Sequence, residues 1–190
     1  VGNIREGRGV YAVVGAEKLW KMVDVTDKNA PLFGDGAAAL ILKPIEDPRR
    51  GMLVFYDKTK SVEGRTRWIY RDNNGFLRMP YGDKVFEEAL VELPLAAETM
   101  MKLVGINARD LKLVCPHQAN GRILAGVTHR LKLSPEQMWR NIELYGNTSA
   151  ASSTICTSEA YENGIIKEGV YMMQICIGAG MRESGLIHRA

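Results

Sequence analysis

Cysteine is scarce in this chain: Cys115, Cys156 and Cys176 are all there is. No two of them stand at a zinc-site spacing, so no metal is expected. An odd, small number of thiols also argues against a disulfide framework and for reduced cysteines in the cytoplasm. An excess of one charge is missing too. The chain carries 25 Lys and Arg against 22 Asp and Glu, a net charge of +3. That is too little to suggest nucleic acid, and no basic and aromatic stripe supports such a partner. No apolar run approaches the ~20 residues of a membrane span. Residues 1–8 lack the apolar segment of a signal peptide, and none is expected; without an initiator Met, a processed or truncated start is expected. What remains is 46% hydrophobic residues over a length of 190, the make-up of a globular protein with a real core and one domain or slightly more.

The most informative stretch is Cys115-Pro116-His117-Gln118-Ala119-Asn120. Leu111, Leu113 and Val114 before it read as a buried strand. Ile123, Leu124, Val127 and Leu131 after it recur at helical spacing, so a helix opens near Ala119. Pro116 has no N–H to donate and ends the strand. His117 therefore stands where a strand gives way to a helix, the place where open α/β sheets gather ligands. A histidine there can donate, accept or carry a proton near neutral pH. It can equally be satisfied by local backbone, and the stretch alone leaves both readings open.

Along the rest of the chain, residues 10–15 read as a strand, and residues 33–43 as a Gly-rich turn followed by a second strand. A phosphate loop is disfavoured there, because no Lys-Ser/Thr and no helix follows. Pro44, Pro48 and Gly51 mark a boundary. Residues 49–78 hold an excess of basic side chains with a turn signal at Asn73-Asn74-Gly75. That is a solvated connection or a face for an anionic partner. A helix is expected from Asp83 to Gly105, with Phe86, Leu90, Leu93, Ala97, Met100 and Met101 on its apolar face and a kink or break at Pro94. Ser134-Pro135-Glu136-Gln137 resembles a capping box opening a short helix to Arg140. Residues 142–144 read as extended. Tyr145-Gly146-Asn147-Thr148-Ser149-Ala150-Ala151-Ser152-Ser153 passes from a turn into very small residues that open a helix ending at Asn163-Gly164. Small residues let a ligand approach the helix start, but an ordinary cap by Asn147 or Thr148 explains them as well. Residues 169–177 form a strand. Gly178-Ala179-Gly180-Met181 makes a turn, and residues 185–188 return as the last strand. Such a turn can expose an oxyanion donor.

Taken together, Phe33-Gly34-Asp35-Gly36-Ala37, Pro116-His117-Gln118-Ala119-Asn120, Gly146-Asn147-Thr148-Ser149-Ala150-Ala151-Ser152 and Gly178-Ala179-Gly180 occur in an order that resembles the β-ketoacyl-acyl carrier protein synthase III family of condensing enzymes. The resemblance implies a thiolase-like α/β fold, with residues 1–45 ending an N-terminal half and residues 46–190 forming the C-terminal half. It implies a Cys-His-Asn site in which the cysteine takes an acyl group from a thioester while His117 and Asn147 assist decarboxylation of a malonyl thioester. An enolate oxygen needs donors that bring no competing charge, and an imidazole N–H and a carboxamide both qualify.

By the same match, the amide of Ala179 belongs to the oxyanion hole, Ala119, Asn120 and Gly178 line the pantetheine tunnel, and Arg122, Arg130 and Lys132 form a basic patch for an acidic carrier protein or coenzyme A thioester. No cofactor is implied, and a cytoplasmic homodimer is. The family's nucleophilic cysteine precedes the segment resembling residues 10–15, so it falls outside this chain, and the chain alone is expected to be inactive. Cys115 reads as packing at a strand end. Departures from the pattern are Ala179 for a Gly, Arg182-Glu183-Ser184 for Thr-Trp-Gly, and Glu87 for a basic residue. A non-condensing acyl-thioester or coenzyme A binding protein, and a hydroxymethylglutaryl-CoA synthase-like acyltransferase, stand as alternatives.

Overall fold

The computed structural model describes residues 9–59 and 68–190. Two strands, β1 (Tyr11–Lys18) and β2 (Asp35–Leu42), pair antiparallel from Tyr11 opposite Leu42 to Lys18 opposite Asp35. After residues 44–50 comes β3 (Gly51–Thr59). Next come a small hairpin, β4 (Tyr70–Arg71) and β5 (Leu77–Arg78), and a long helix, α1 (Gly82–Val104). Then follow β6 (Leu111–Pro116), α2 (Gly121–Arg130), α3 (Ile142–Tyr145), α4 (Ser152–Glu162), β7 (Tyr171–Gly178) and β8 (Arg182–Arg189). The main sheet runs β3-β8-β7-β6, with β6 and β7 parallel and the other pairs antiparallel.

Both faces of this sheet are covered. One core packs Ala89, Leu93, Ala97 and Met100 of α1 and Ile123 and Val127 of α2 against Met173, Ile175, Ile177 and Ile187. The other sets Cys156 and Ala160 of α4 against Leu113, Cys115 and Met172. In β6 a register shift between Leu111 and Leu113 puts Leu111 and Val114 on the first face and Leu113 and Cys115 on the second. An extra residue of this kind switches which side chains share a face. A continuous apolar run without alternation is the consequence.

Four local expectations are corrected. Pro94 does not break α1, which is continuous from Gly82 to Val104. A proline inside a helix costs about 3 kcal/mol. Burying one side chain such as Leu93 or Met100 returns roughly 1.5–3 kcal/mol, and this helix buries several. Gly105 then stops it in the left-handed region at φ 78°, with the N–H of Ile106 reaching back to the carbonyl of Met101. Residues 142–144 are helical, not extended, because the carbonyl of Asn141 accepts from Leu144 and Tyr145. The helix after Ser134 is a single tight turn, Pro135–Gln137. Helix α2 opens at Gly121, just after Asn120 rather than at Ala119, since Asn120 caps it by accepting from the N–H of Arg122 at 2.8 Å.

The basic stretch is partly outside the described residues, at 60–67. Within them, Arg49 meets Asp47, Arg50 meets Glu168, Lys58 meets Glu92, and Arg78 meets Asp24, Asp27 and Asp72. These arginines and this lysine are neutralised by the chain's own carboxylates, which removes most of the case for an anion-binding face. Arg78 instead ties the β4–β5 hairpin to residues 24–27.

Candidate functional site

The parallel ladder of β6 and β7 continues past Pro116, because the N–H of His117 donates to the carbonyl of Ile175 at 2.7 Å. That bond sets the imidazole just beyond the carboxyl end of β6. Nδ1 of the ring lies 2.6 Å from Oγ of Ser152, the first residue of α4. The side chain of Gln118 turns the other way and is fully buried. Its amide donates to the carbonyls of Pro116 and Trp139, and its oxygen accepts from the N–H groups of Asn141 and Ile142. All four hydrogen-bonding positions of the carboxamide are used. Gln118 thereby anchors the segment leading into α3 and, beyond it, Asn147.

Asn147 is held by the N-terminal part of the chain. Its N–H donates to the carbonyl of Leu32 at 2.7 Å, and its carbonyl accepts from Gly34 at 3.0 Å. The side-chain oxygen accepts from the N–H of Ser149 at 2.9 Å. The capping reading and the functional reading therefore coexist: the oxygen is committed to backbone, and the NH₂ is left to donate elsewhere.

His117 and Asn147 line one cleft with Ala119, Asn120 and Gly178. Leu32, Phe33, Met79, Val85, Phe86, Ile123, Ile177 and Met181 supply its apolar wall. Ala179 stands in the β7–β8 turn between Gly178 and Met181, which both line the cleft. Arg122, Arg130 and Lys132 are exposed, and Arg122 lies over the ring of Phe86 at 5.2 Å, at the rim. The long-range contributors Leu32, Met79 and Met181 carry no chemical signal in sequence. Gln118 and Ser152 do lie within the informative stretches, yet their bonds are invisible without the fold.

None of the three cysteines faces this cleft as a nucleophile would. Cys115 is fully buried, and burial pushes its thiol up to about 12. Burial likewise raises Cys156 and Cys176. A reactive cysteine needs a lowered value. All three are free thiols.

Burial also holds His117 neutral, pulling its value down to about 4, and His188 follows to about 4 for the same reason. The unfolded chain, at the ordinary ~6.5, then binds protons before the folded one does. Stability is full above the unfolded value and is lost as pH falls through the folded value. We predict a lower urea midpoint at pH 5 than at pH 7, with His117 contributing on the order of 1–2 kcal/mol of the difference after allowance for its partial access to solvent. The variant His117→Asn should flatten that dependence; an unchanged pH dependence in the variant would contradict the assignment.

Comparison with known proteins gives the family of the chain. Residues 101–190 match the family described as 3-oxoacyl-[acyl-carrier-protein] synthase III C terminal, and residues 4–60 match the 3-oxoacyl-[acyl-carrier-protein] synthase III family. The β-ketoacyl-[acyl-carrier-protein] synthase III of Aquifex aeolicus is 33% identical over 178 residues, covering 93% of this chain and 56% of the relative. That of Caldanaerobacter subterraneus is 34% identical over 185 residues, covering 89% and 55%. The crystal structure of the Aquifex aeolicus 3-oxoacyl-[acyl-carrier-protein] synthase III superposes with a TM-score of 0.92 at 30% identity, covering all of this chain and 61% of that one. The Pseudomonas aeruginosa enzyme gives 0.90 at 29% identity, covering 99% and 60%. The chain thus spans little more than half the length of the curated relatives it matches. Two family matches in the right order, relatives 33–34% identical over about nine-tenths of the chain and a common thiolase-like fold lead to one conclusion: the chain belongs to the 3-oxoacyl-[acyl-carrier-protein] synthase III family.

Proposed function

We propose that this chain supplies the decarboxylating part of a condensing acyltransferase that joins an acyl primer to a malonyl thioester. The observation that carries the reading is the meeting of His117 and Asn147 on one largely apolar cleft. In this reading the malonyl carboxylate leaves as carbon dioxide, and its bonding electrons form an enolate. The Asn147 amide donates to the enolate oxygen, with the imidazole of His117 beside it. The carbanion attacks an acyl-cysteine carbonyl and expels the sulfur as thiolate. The amide of Ala179 serves the oxyanion of that second centre, and Ala119, Asn120 and Gly178 flank the pantetheine arm. The substrates are thioesters, and no further cofactor takes part.

The nucleophilic cysteine comes from sequence this chain does not contain, whether upstream or on a partner chain. Support lies in the burial of Cys115 and Cys156 and in thiols raised above the ordinary cysteine value at all three positions. The test is incubation of the 190-residue chain with a labelled acyl-CoA followed by mass spectrometry. We expect no adduct and no β-ketoacyl product. A stable acyl group on Cys115, Cys156 or Cys176 with product formation would overturn the proposal.

Carrier docking falls on Arg122, Arg130 and Lys132, exposed on and just after α2. Arg122→Glu and Arg130→Glu should weaken use of the carrier thioester more than of the coenzyme A thioester, and the difference should shrink at high salt. Equal effects on both donors, insensitive to salt, would refute it. The reading extends to a cytoplasmic homodimer. Free thiols suit a reducing compartment, and exposed Val13, Val14 and Ile41 leave apolar surface that a partner would cover.

A further inference from the structure

Three polar atoms surround Oγ of Ser152, itself buried at 2% exposure. Nδ1 of His117 is at 2.6 Å, the carbonyl oxygen of Ser149 at 2.9 Å and the backbone nitrogen of Gln118 at 3.2 Å. Counting protons decides how they bond. The hydroxyl has one proton, and the Ser149 carbonyl has none. The hydroxyl therefore donates to Ser149 and accepts from the N–H of Gln118. Its remaining short contact, to His117, needs a proton from the ring. Turning the hydroxyl toward Nδ1 instead would leave two bare oxygens 2.9 Å apart.

We infer that Ser152 is a positioning residue: it holds His117 as the Nδ1–H tautomer, so that Nε2 turns its lone pair to the cleft. A neutral imidazole carries one N–H, and this one is spent on Ser152. The resting cleft then offers one donor, the Asn147 amide, and one acceptor, Nε2. His117 can donate to an oxyanion only after Nε2 has gained a proton. The resemblance alone calls for two donors and does not distinguish the nitrogens. The catalytic meaning rests on the condensing reading; the assignment of the proton does not.

The test is two-bond proton–nitrogen correlation on the chain labelled with ¹⁵N-histidine at neutral pH. His129→Gln and His188→Gln identify the His117 signals by elimination. We expect a pyrrole-type Nδ1 and a pyridine-type Nε2. Ser152→Ala should lose that preference, shifting both nitrogens toward each other as tautomers mix, and Ser152→Thr should restore it. A pyridine-type Nδ1 in the unaltered protein would overturn the inference. So would an unchanged pattern in Ser152→Ala, which would show that the hydroxyl does not set the tautomer. Should Ser152→Ala fail to fold, the unaltered spectrum still decides the tautomer, and Ser152→Thr decides the hydroxyl's part.

Discussion

Asn147→Ala should reduce malonyl-thioester decarboxylation by about 10²–10³-fold, the usual cost of removing one donor from a developing oxyanion. The measurement is release of labelled carbon dioxide by the enzyme in a form that carries the acylated cysteine. Acylation of that cysteine should change little, because in the proposed reaction the Asn147 amide serves the enolate and not the acyl carbonyl. His117→Ala should show the same split. The environment of Asn147 makes the effect specific. Its backbone is clamped by Leu32 and Gly34, and its side-chain oxygen is bound by the N–H of Ser149. Removing the carboxamide therefore takes away the free NH₂ and one capping bond, the latter worth about 1 kcal/mol in stability. Asn147→Asp separates the two effects. It keeps the cap but replaces the donor with a charge that repels the enolate, so its activity should fall at least as far as that of the alanine variant. Equal loss of acylation and decarboxylation in these variants would refute the assigned roles.

Gly34→Ala should be the most damaging single methyl group in the N-terminal part of the chain. A Cβ on Gly34 would lie 1.8 Å from the carbonyl oxygen of Tyr145, and that neighbour is backbone, which cannot swing aside. Relief would require β2 to part from the Asn147 turn, breaking the bonds from Gly34 to Asn147 and from Asn147 to Leu32. Ordinary overpacking costs about 1–3 kcal/mol. A backbone collision that also breaks two interlocking bonds belongs to the exceptional class above about 4 kcal/mol. We expect the variant to unfold at far lower urea or not to accumulate. Gly178→Ala is the control, since its nearest neighbour would be the carbonyl oxygen of Arg182 at an ordinary 4.0 Å. Similar urea midpoints for the two variants would show that the contact between β2 and the Asn147 turn is soft.

Residues 111–131 and 169–188 were legible in sequence because each piece is local. A run of apolar residues closed by Pro116, a helix of correct period and a turn built on Gly178 and Gly180 need only near neighbours to form. The Asn147 stretch was legible as the small-residue start of a helix, but composition left an ordinary cap and a functional amide equally open, and only the resemblance gave Asn147 a chemical role. Residues 142–145 were not legible. Their helix depends on Gln118, which accepts from Asn141 and Ile142 across a gap of more than twenty residues, and no periodicity within four residues can report that. For the basic residues from 49 to 78 the sequence left a solvated connection and an anion-binding face both open, because charge counts ignore pairing. Arg78 finds Asp24 and Asp27 only once the hairpin folds over them.

By itself, then, the sequence determined the strand and helix bearing His117, the small-residue start of α4, the glycine turn and the family resemblance, all written in short-range patterns. Only the tertiary structure decided that His117 and Asn147 share a cleft, that residues from 32 to 181 wall it, and that Ser152 meets the imidazole. These are long-range contacts, made when the parallel pairing of β6 with β7 and the clamp of β2 on the Asn147 turn bring distant segments together. A side chain's neighbours across such gaps depend on how the sheet and helices pack, and packing is a property of the whole chain.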